Sequence, residues 1–138
     1  MLTTVAPFAT IVILLVWMGF FMLGSLPLMI LKHDTPLDAR FIRGLFDVYY
    51  KAVMVVAAAG TLAHALAQRP VTAVAMAVVG VVAFWSRRVI LSRMDTLRIT
   101  MTATDTAGIR QFRKLHVTGM SLNLVQLLAI CFGLPSVL

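Results

Sequence analysis

Residues 52–86 read AVMVVAAAGTLAHALAQRPVTAVAMAVVGVVAFWS, two charge-free runs separated by a single cation, Arg69. Lys51 bounds the first run and Arg87 the second. A helix needs about 20 apolar residues to cross the hydrocarbon of a bilayer. Each run has 17, so each crosses if its helix extends toward Lys51 or Arg87 and the cation snorkels to the headgroups. Tyr49, Tyr50 and Trp85 lie at those same ends, where interfacial aromatics are expected. Gln68-Arg69-Pro70 leaves room for only a tight turn, so the two spans are antiparallel neighbours.

The flanks repeat the pattern. Residues 1–31 and 115–138 also lack Asp, Glu, Lys and Arg, while eleven of the twelve Lys and Arg residues fall in two segments between the apolar stretches. Lys32, Arg40, Arg43 and Lys51 form one segment; Arg87, Arg88, Arg93, Arg98, Arg110, Arg113 and Lys114 form the other. With 61% hydrophobic and 12% charged residues in a chain of 138, a soluble globule of this size would leave too much apolar surface in water. The expected fold is all-α, an integral membrane four-helix bundle with spans near 8–31, 48–68, 71–91 and 115–134. The two basic segments are then the first and third loops. The positive-inside rule puts both in the cytoplasm and both termini outside, in a multi-pass protein of the cell inner membrane. Residues 8–31 are expected to be a retained span, since no basic n-region precedes them.

Local signals refine the boundaries. Pro7 suits a helix start, Thr35-Pro36 breaks and restarts the chain, and Asp34 or Thr35 can cap the second helix. Trp85, Val89, Met94, Leu97 and Met101 recur at near-helical spacing, so the third helix runs on into the cytoplasm. Thr102 to Gly108 is the expected turn, and Asp105 the cap of a fourth helix that also begins in the cytoplasm. Ala59, Ala63 and Ala67 on the second span, Ala73, Ala77 and Gly80 on the third, and Gly19 and Gly24 on the first are candidates for close helix contact.

A net charge of +7 would suggest nucleic acid in a soluble protein. Here Arg43, Lys51, Arg87, Arg88, Arg113 and Lys114 instead orient the chain and meet anionic headgroups, and no nucleic-acid partner is expected. Asp47, four residues from both Arg43 and Lys51, makes an i, i+4 ladder. Cys131 is alone, and the chain has no glutamate. No nucleophile elbow, phosphate loop or dinucleotide fingerprint is present.

Polar groups inside a span carry most of the functional information. His116, Gly119, Asn123, Gln126 and Ile130 are three or four residues apart and share one face of the last helix, extended by Phe112. Asn123 lies roughly 13 Å beyond Lys114, and Thr61 is a candidate partner at similar depth. The face either locks the bundle through interhelical hydrogen bonds or lines a small site for a ligand, ion or proton path. A metal, haem or copper centre would draw on His116 and His33, with His64 near the opposite end.

The text Gln111-Phe112-Arg113-Lys114-Leu115-His116, followed by Thr118-Gly119-Met120-Ser121-Leu122-Asn123-Leu124, resembles the final-span signature of a family of small four-helix membrane proteins. These are the relatives of eukaryotic transmembrane protein two hundred and five, known in bacteria as a domain of unknown function. Phe112, His116 and Asn123 occupy the matching places, and Phe46-Asp47-Val48-Tyr49-Tyr50 and Trp85 with Arg88 resemble the family's layout. The resemblance implies a compact bundle with His116 and Asn123 facing inward, and no particular reaction. The expected role is an accessory or structural subunit or small-ligand-binding module. A redox protein using His116, or a transporter using the polar face, are the alternatives. A membrane-protein complex or homo-oligomer is the expected setting.

Overall fold

The computed structural model describes residues 2–32 and 35–133, which are helical almost throughout. The elements are α1 (Leu2–Ile30), α2 (Pro36–Leu66), α3 (Pro70–Ser86), α4 (Ser92–Thr100) and α5 (Thr106–Gly133). A π turn, Arg87–Leu91, joins α3 to α4 without a break, so the chain makes four rods. All four are long and apolar enough to cross a membrane. Large apolar side chains stand open on each of them, including Leu23, Val55, Val81 and Phe132. An exterior of this kind is stable against lipid rather than water.

The breaks have local causes. Lys32, at φ 58°, ends the first rod in the left-handed region. Thr35 is extended and precedes Pro36 at the first turn of α2, but its hydroxyl donates to Asp38 Oδ2 (2.8 Å) instead of capping the backbone. Gln68, at φ 56°, makes the tight reversal before Pro70, whose fixed φ suits the start of α3. Asp105 Oδ1 accepts from the Gly108 backbone N–H at 2.9 Å, the cap expected from the sequence. Asp34 lies outside the described residues, as do Leu134 and Pro135. Pro7 does not start the first helix: α1 is already helical from Leu2, and Pro7 and Pro27 both lie inside it.

α2 is the centre. Ala39, Ile42, Phe46, Tyr49, Tyr50, Val53, Ala57, Gly60 and His64 recur at helical spacing and are all buried. α3 packs along one side of α2 and α1 along the other, while α5 lies against α1 and, at its start, α4. Tyr49 and Tyr50 are therefore core residues that face neighbouring helices. α2 begins well before them, and Phe46 and Val53 carry the same face past them on both sides. Trp85 is open to the outside.

Helices α2 and α3 meet through Ala57 and Gly60 against Met76 and Gly80. A Cβ on Gly80 would sit 3.3 Å from the Ala57 methyl, and one on Gly60 3.3 Å from Met76 Sδ. Of the Ala59, Ala63, Ala67 stripe, Ala59 is exposed and Ala63 and Ala67 are half-buried. Gly19 and Gly24 face no neighbour that a methyl would meet. The π turn accounts for a second departure. Its wider coil lets the consecutive residues Ile90 and Leu91 both enter the core, followed by Met94. Trp85 and Val89, which fit a uniform helical period in the sequence, are displaced from it.

One end of the bundle holds an ion-pair network. Asp47 receives Lys51 at 2.7 Å, Arg87 at 2.7 Å and Arg43 at 3.9 Å. Arg43 also forks onto Asp95, with Nε to Oδ1 and Nη2 to Oδ2 both at 2.9 Å, and Arg98 adds a contact at 3.4 Å. The i, i+4 ladder is thus present, and two further links tie α2 to the π turn and to α4. Two-pronged guanidinium–carboxylate pairs are the stronger kind, but partial exposure holds such a pair to about 1 kcal/mol. Replacing Arg43 by Gln should lower the unfolding midpoint only slightly, yet selectively speed amide exchange in 92–100. Uniform exchange changes along the chain would show that this pair does not hold α4.

Candidate functional site

The sequence places His116, Gly119, Asn123, Gln126 and Ile130 on one face of α5, with Phe112 ahead of them. That face points inward: Phe112, His116 and Asn123 are buried, Gly119 likewise, and Gln126 and Ile130 partly so. His116, Gly119 and Asn123 each have a definite neighbour on α1 or α2.

Asn123 is the meeting point of three helices. Its Oδ1 accepts from the Tyr49 hydroxyl of α2 at 2.5 Å, and its Nδ2 donates to the Met18 backbone carbonyl of α1 at 3.1 Å. Its residual exposure is 1%. In a hydrocarbon surrounding an unpaired amide would be costly, so both ends of this side chain are used. Tyr49 is itself clamped, its ring stacked on Phe21 of α1 at 3.9 Å between centroids and 20° between planes.

One turn before Asn123, Gly119 admits the ring of Phe46. A Cβ at that position would land on the ring edge. One further turn back, His116 presents its imidazole to the same phenyl ring in a T-shaped contact, with centroids 5.5 Å apart and planes at 79°. Phe46 also packs edge-on against Phe21 at 4.9 Å and Tyr50 at 5.9 Å. The antiparallel pairing of Asn123 with Met18 brings Ser25 level with His116, and Ser25 is fully buried. The site is therefore an aromatic cluster with a histidine at one end and a hydrogen-bonded amide at the other.

Buried polar atoms without a hydrogen-bond partner among the described residues border this cluster: Ser25 Oγ, Trp17 Nε1 and Gln126 Nε2. Such groups are the places where a small polar molecule or water gains most by binding. His64, also fully buried, has neither ring nitrogen paired. It sits eighteen residues beyond Phe46 on α2, roughly 27 Å away along the axis, so it shares no site with His116.

Thr61 does not join Asn123. It is twelve residues along α2 from Tyr49, and its hydroxyl donates to the Ala57 carbonyl of its own helix at 2.8 Å. α2 extends far into the basic end, which brings Tyr49, rather than Thr61, level with Asn123. His33 lies outside the described residues, so its pairing with His116 does too. Among the described residues no three His, Cys, Asp or Glu side chains converge as a metal-binding group. Of the residues expected at the headgroups, Arg43, Lys51 and Arg87 gather around Asp47 and Asp95. Arg88 and Lys114 are exposed, and Arg113 is half-buried.

The partners of Asn123 and His116 that the sequence does not single out are Tyr49 and Phe46. Their signal was present in the i, i+3, i+4, i+7 run Phe46, Tyr49, Tyr50 and Val53, which marks an inward helix face. No protein-family model, no curated protein and no solved structure matches this chain.

Gly119 gives this packing a sign test. On an open helix face, Gly→Ala stabilises by about 1 kcal/mol through helix propensity. Here Gly119→Ala should destabilise by roughly 1–3 kcal/mol, because the methyl meets the Phe46 ring. Reversible unfolding in mixed micelles, with Gly24→Ala, where an added methyl meets nothing, as a propensity control, measures the difference. Stabilisation by Gly119→Ala would mean that Phe46 does not occupy this contact.

Proposed function

We propose that the chain is a small integral protein of the cell inner membrane with an accessory or structural role, its basic end cytoplasmic and both termini outside. The observation that carries this reading is the use of the Asn123 amide. Both of its ends are committed to neighbouring helices, so the most polar position of the last span serves helix association. The aromatic stack around Phe46 extends the same packing to His116. The alternating charge pattern supports the orientation, since the two basic segments lie at one end of the four rods. The resemblance of residues 111–124 to the final-span text of the family related to transmembrane protein two hundred and five supports the same architecture.

An accessory protein acts through what it holds or touches. Extraction of the tagged chain from its native membrane in mild detergent should recover it in an assembly larger than the single chain. Recovery as a lone monomer after cross-linking in intact membranes would contradict an accessory role. On the same sample, a Soret band or stoichiometric copper that disappears in His116→Ala would replace this reading with a redox one.

Orientation has its own test. In a Cys131→Ser background, Ala103→Cys in the exposed loop before α5 should react with an impermeant maleimide only after the cytoplasmic face is opened. Labelling in intact cells would invert the topology.

A further inference from the structure

The outer side of the α2–α3 contact carries a groove. Its volume is about 450 Å³, and its walls include Met54, Ala58, Thr61, Ala77, Val81 and Phe84. The close approach of Ala57 and Gly80 forms the floor. The walls are almost wholly carbon, since the Thr61 hydroxyl is turned onto the Ala57 carbonyl. Ala58, Val81 and Phe84 are exposed, so the groove opens outward.

Cations continue both walls. On α2, Lys51 stands three residues before Met54 and seven before Ala58, on the same helical face. On the neighbouring rod, Arg87 and Arg88 open the π turn that follows the α3 wall residues Val81 and Phe84. Lys51 and Arg88 are exposed. Around this mouth the cations Arg43, Lys51, Arg87, Arg88 and Arg98 outnumber the carboxylates Asp47 and Asp95 by five to two. The mouth therefore keeps a net positive charge after every ion pair is formed.

We propose that this groove is a binding site for an anionic glycerophospholipid, one acyl chain lying between α2 and α3 and the phosphate held by Lys51 and Arg88. Length fits this occupant. From Lys51 to Thr61 is ten residues, roughly 15 Å along the helix, about half of the ~30 Å hydrocarbon thickness. A groove of that depth takes a chain from one leaflet, whereas a partner helix would need a track through both. Charge fits as well. A second copy docked side by side in the same orientation brings the same excess of cations to the mouth, and an anionic headgroup neutralises it. The inference needs only that the rods sit in a bilayer, and is independent of the accessory role.

The test is native mass spectrometry of the delipidated full chain, given equimolar dioleoyl phosphatidylglycerol and dioleoyl phosphatidylcholine. The wild type should retain the glycerol lipid in preference by roughly tenfold or more, as two surface cations imply. Lys51→Gln with Arg88→Gln should equalise the two lipids. Ala58→Phe should lose both, because the phenyl ring fills the groove; Ala58 is exposed, so circular dichroism should show its helix content intact. Arg110→Gln, an exposed basic residue away from the mouth, should change nothing. Equal retention of both lipids by the wild type would overturn the proposal. So would a preference that survives the double substitution, or undiminished lipid binding in Ala58→Phe. A wild-type dimer that Ala58→Phe converts to monomer would assign the groove to a second copy instead.

Discussion

The hydrogen bonds of Asn123 to Tyr49 and to the Met18 carbonyl join α5, α2 and α1 at one point inside a largely apolar bundle. Apolar packing alone selects helix register weakly in a bilayer, where lipid tails compete equally well for an apolar side chain. A buried amide changes that balance. Sliding α5 by one turn would leave the amide and the tyrosine hydroxyl unpaired in hydrocarbon. The same slide would drive a side chain into the place that Gly119 leaves for Phe46. Polar pairing and steric fit therefore choose the same register, and His116, two turns from Asn123, is placed by it.

The basic end adds a second constraint of a different kind. Arg43 reaches from α2 to Asp95 on α4, and Arg87 reaches back from the π turn to Asp47. Charge is partly neutralised where helices converge and left in excess at the outer rim. The π turn makes both possible. It lets Ile90 and Leu91 enter the core together while Arg87 faces Asp47 and Arg88 faces outward.

Much of this architecture was visible in the order of residues. The partition of charge marks four spans and one basic end, and spacing alone puts His116, Gly119 and Asn123 on an inward face. The partners were harder to see. Thr61 was a reasonable choice for Asn123 by depth, but depth depends on how far α2 extends beyond the hydrocarbon, which local sequence does not state. Arg43 and Asp95 are 52 residues apart, and their pairing follows only from the antiparallel register of α2 with the α3–α4 rod. The closest α2–α3 approach falls at Ala57 and Gly60, off the regular Ala59, Ala63, Ala67 spacing, whose first member is exposed. Small residues allow close approach, but the large neighbours Phe46, Tyr50 and Val53 decide which face points inward. The π turn has no strong sequence signature, so an even helical period was assumed across it.

A double-mutant cycle on Tyr49→Phe and Asn123→Leu, followed by reversible unfolding in mixed micelles, measures the three-helix junction directly. If the hydroxyl and the amide are paired as described, the coupling energy should be favourable and about 1 kcal/mol, within the range known for hydrogen bonds between membrane helices. Strictly additive effects of the two substitutions would mean that Tyr49 and Asn123 do not interact, and that the register of α5 is set by something else.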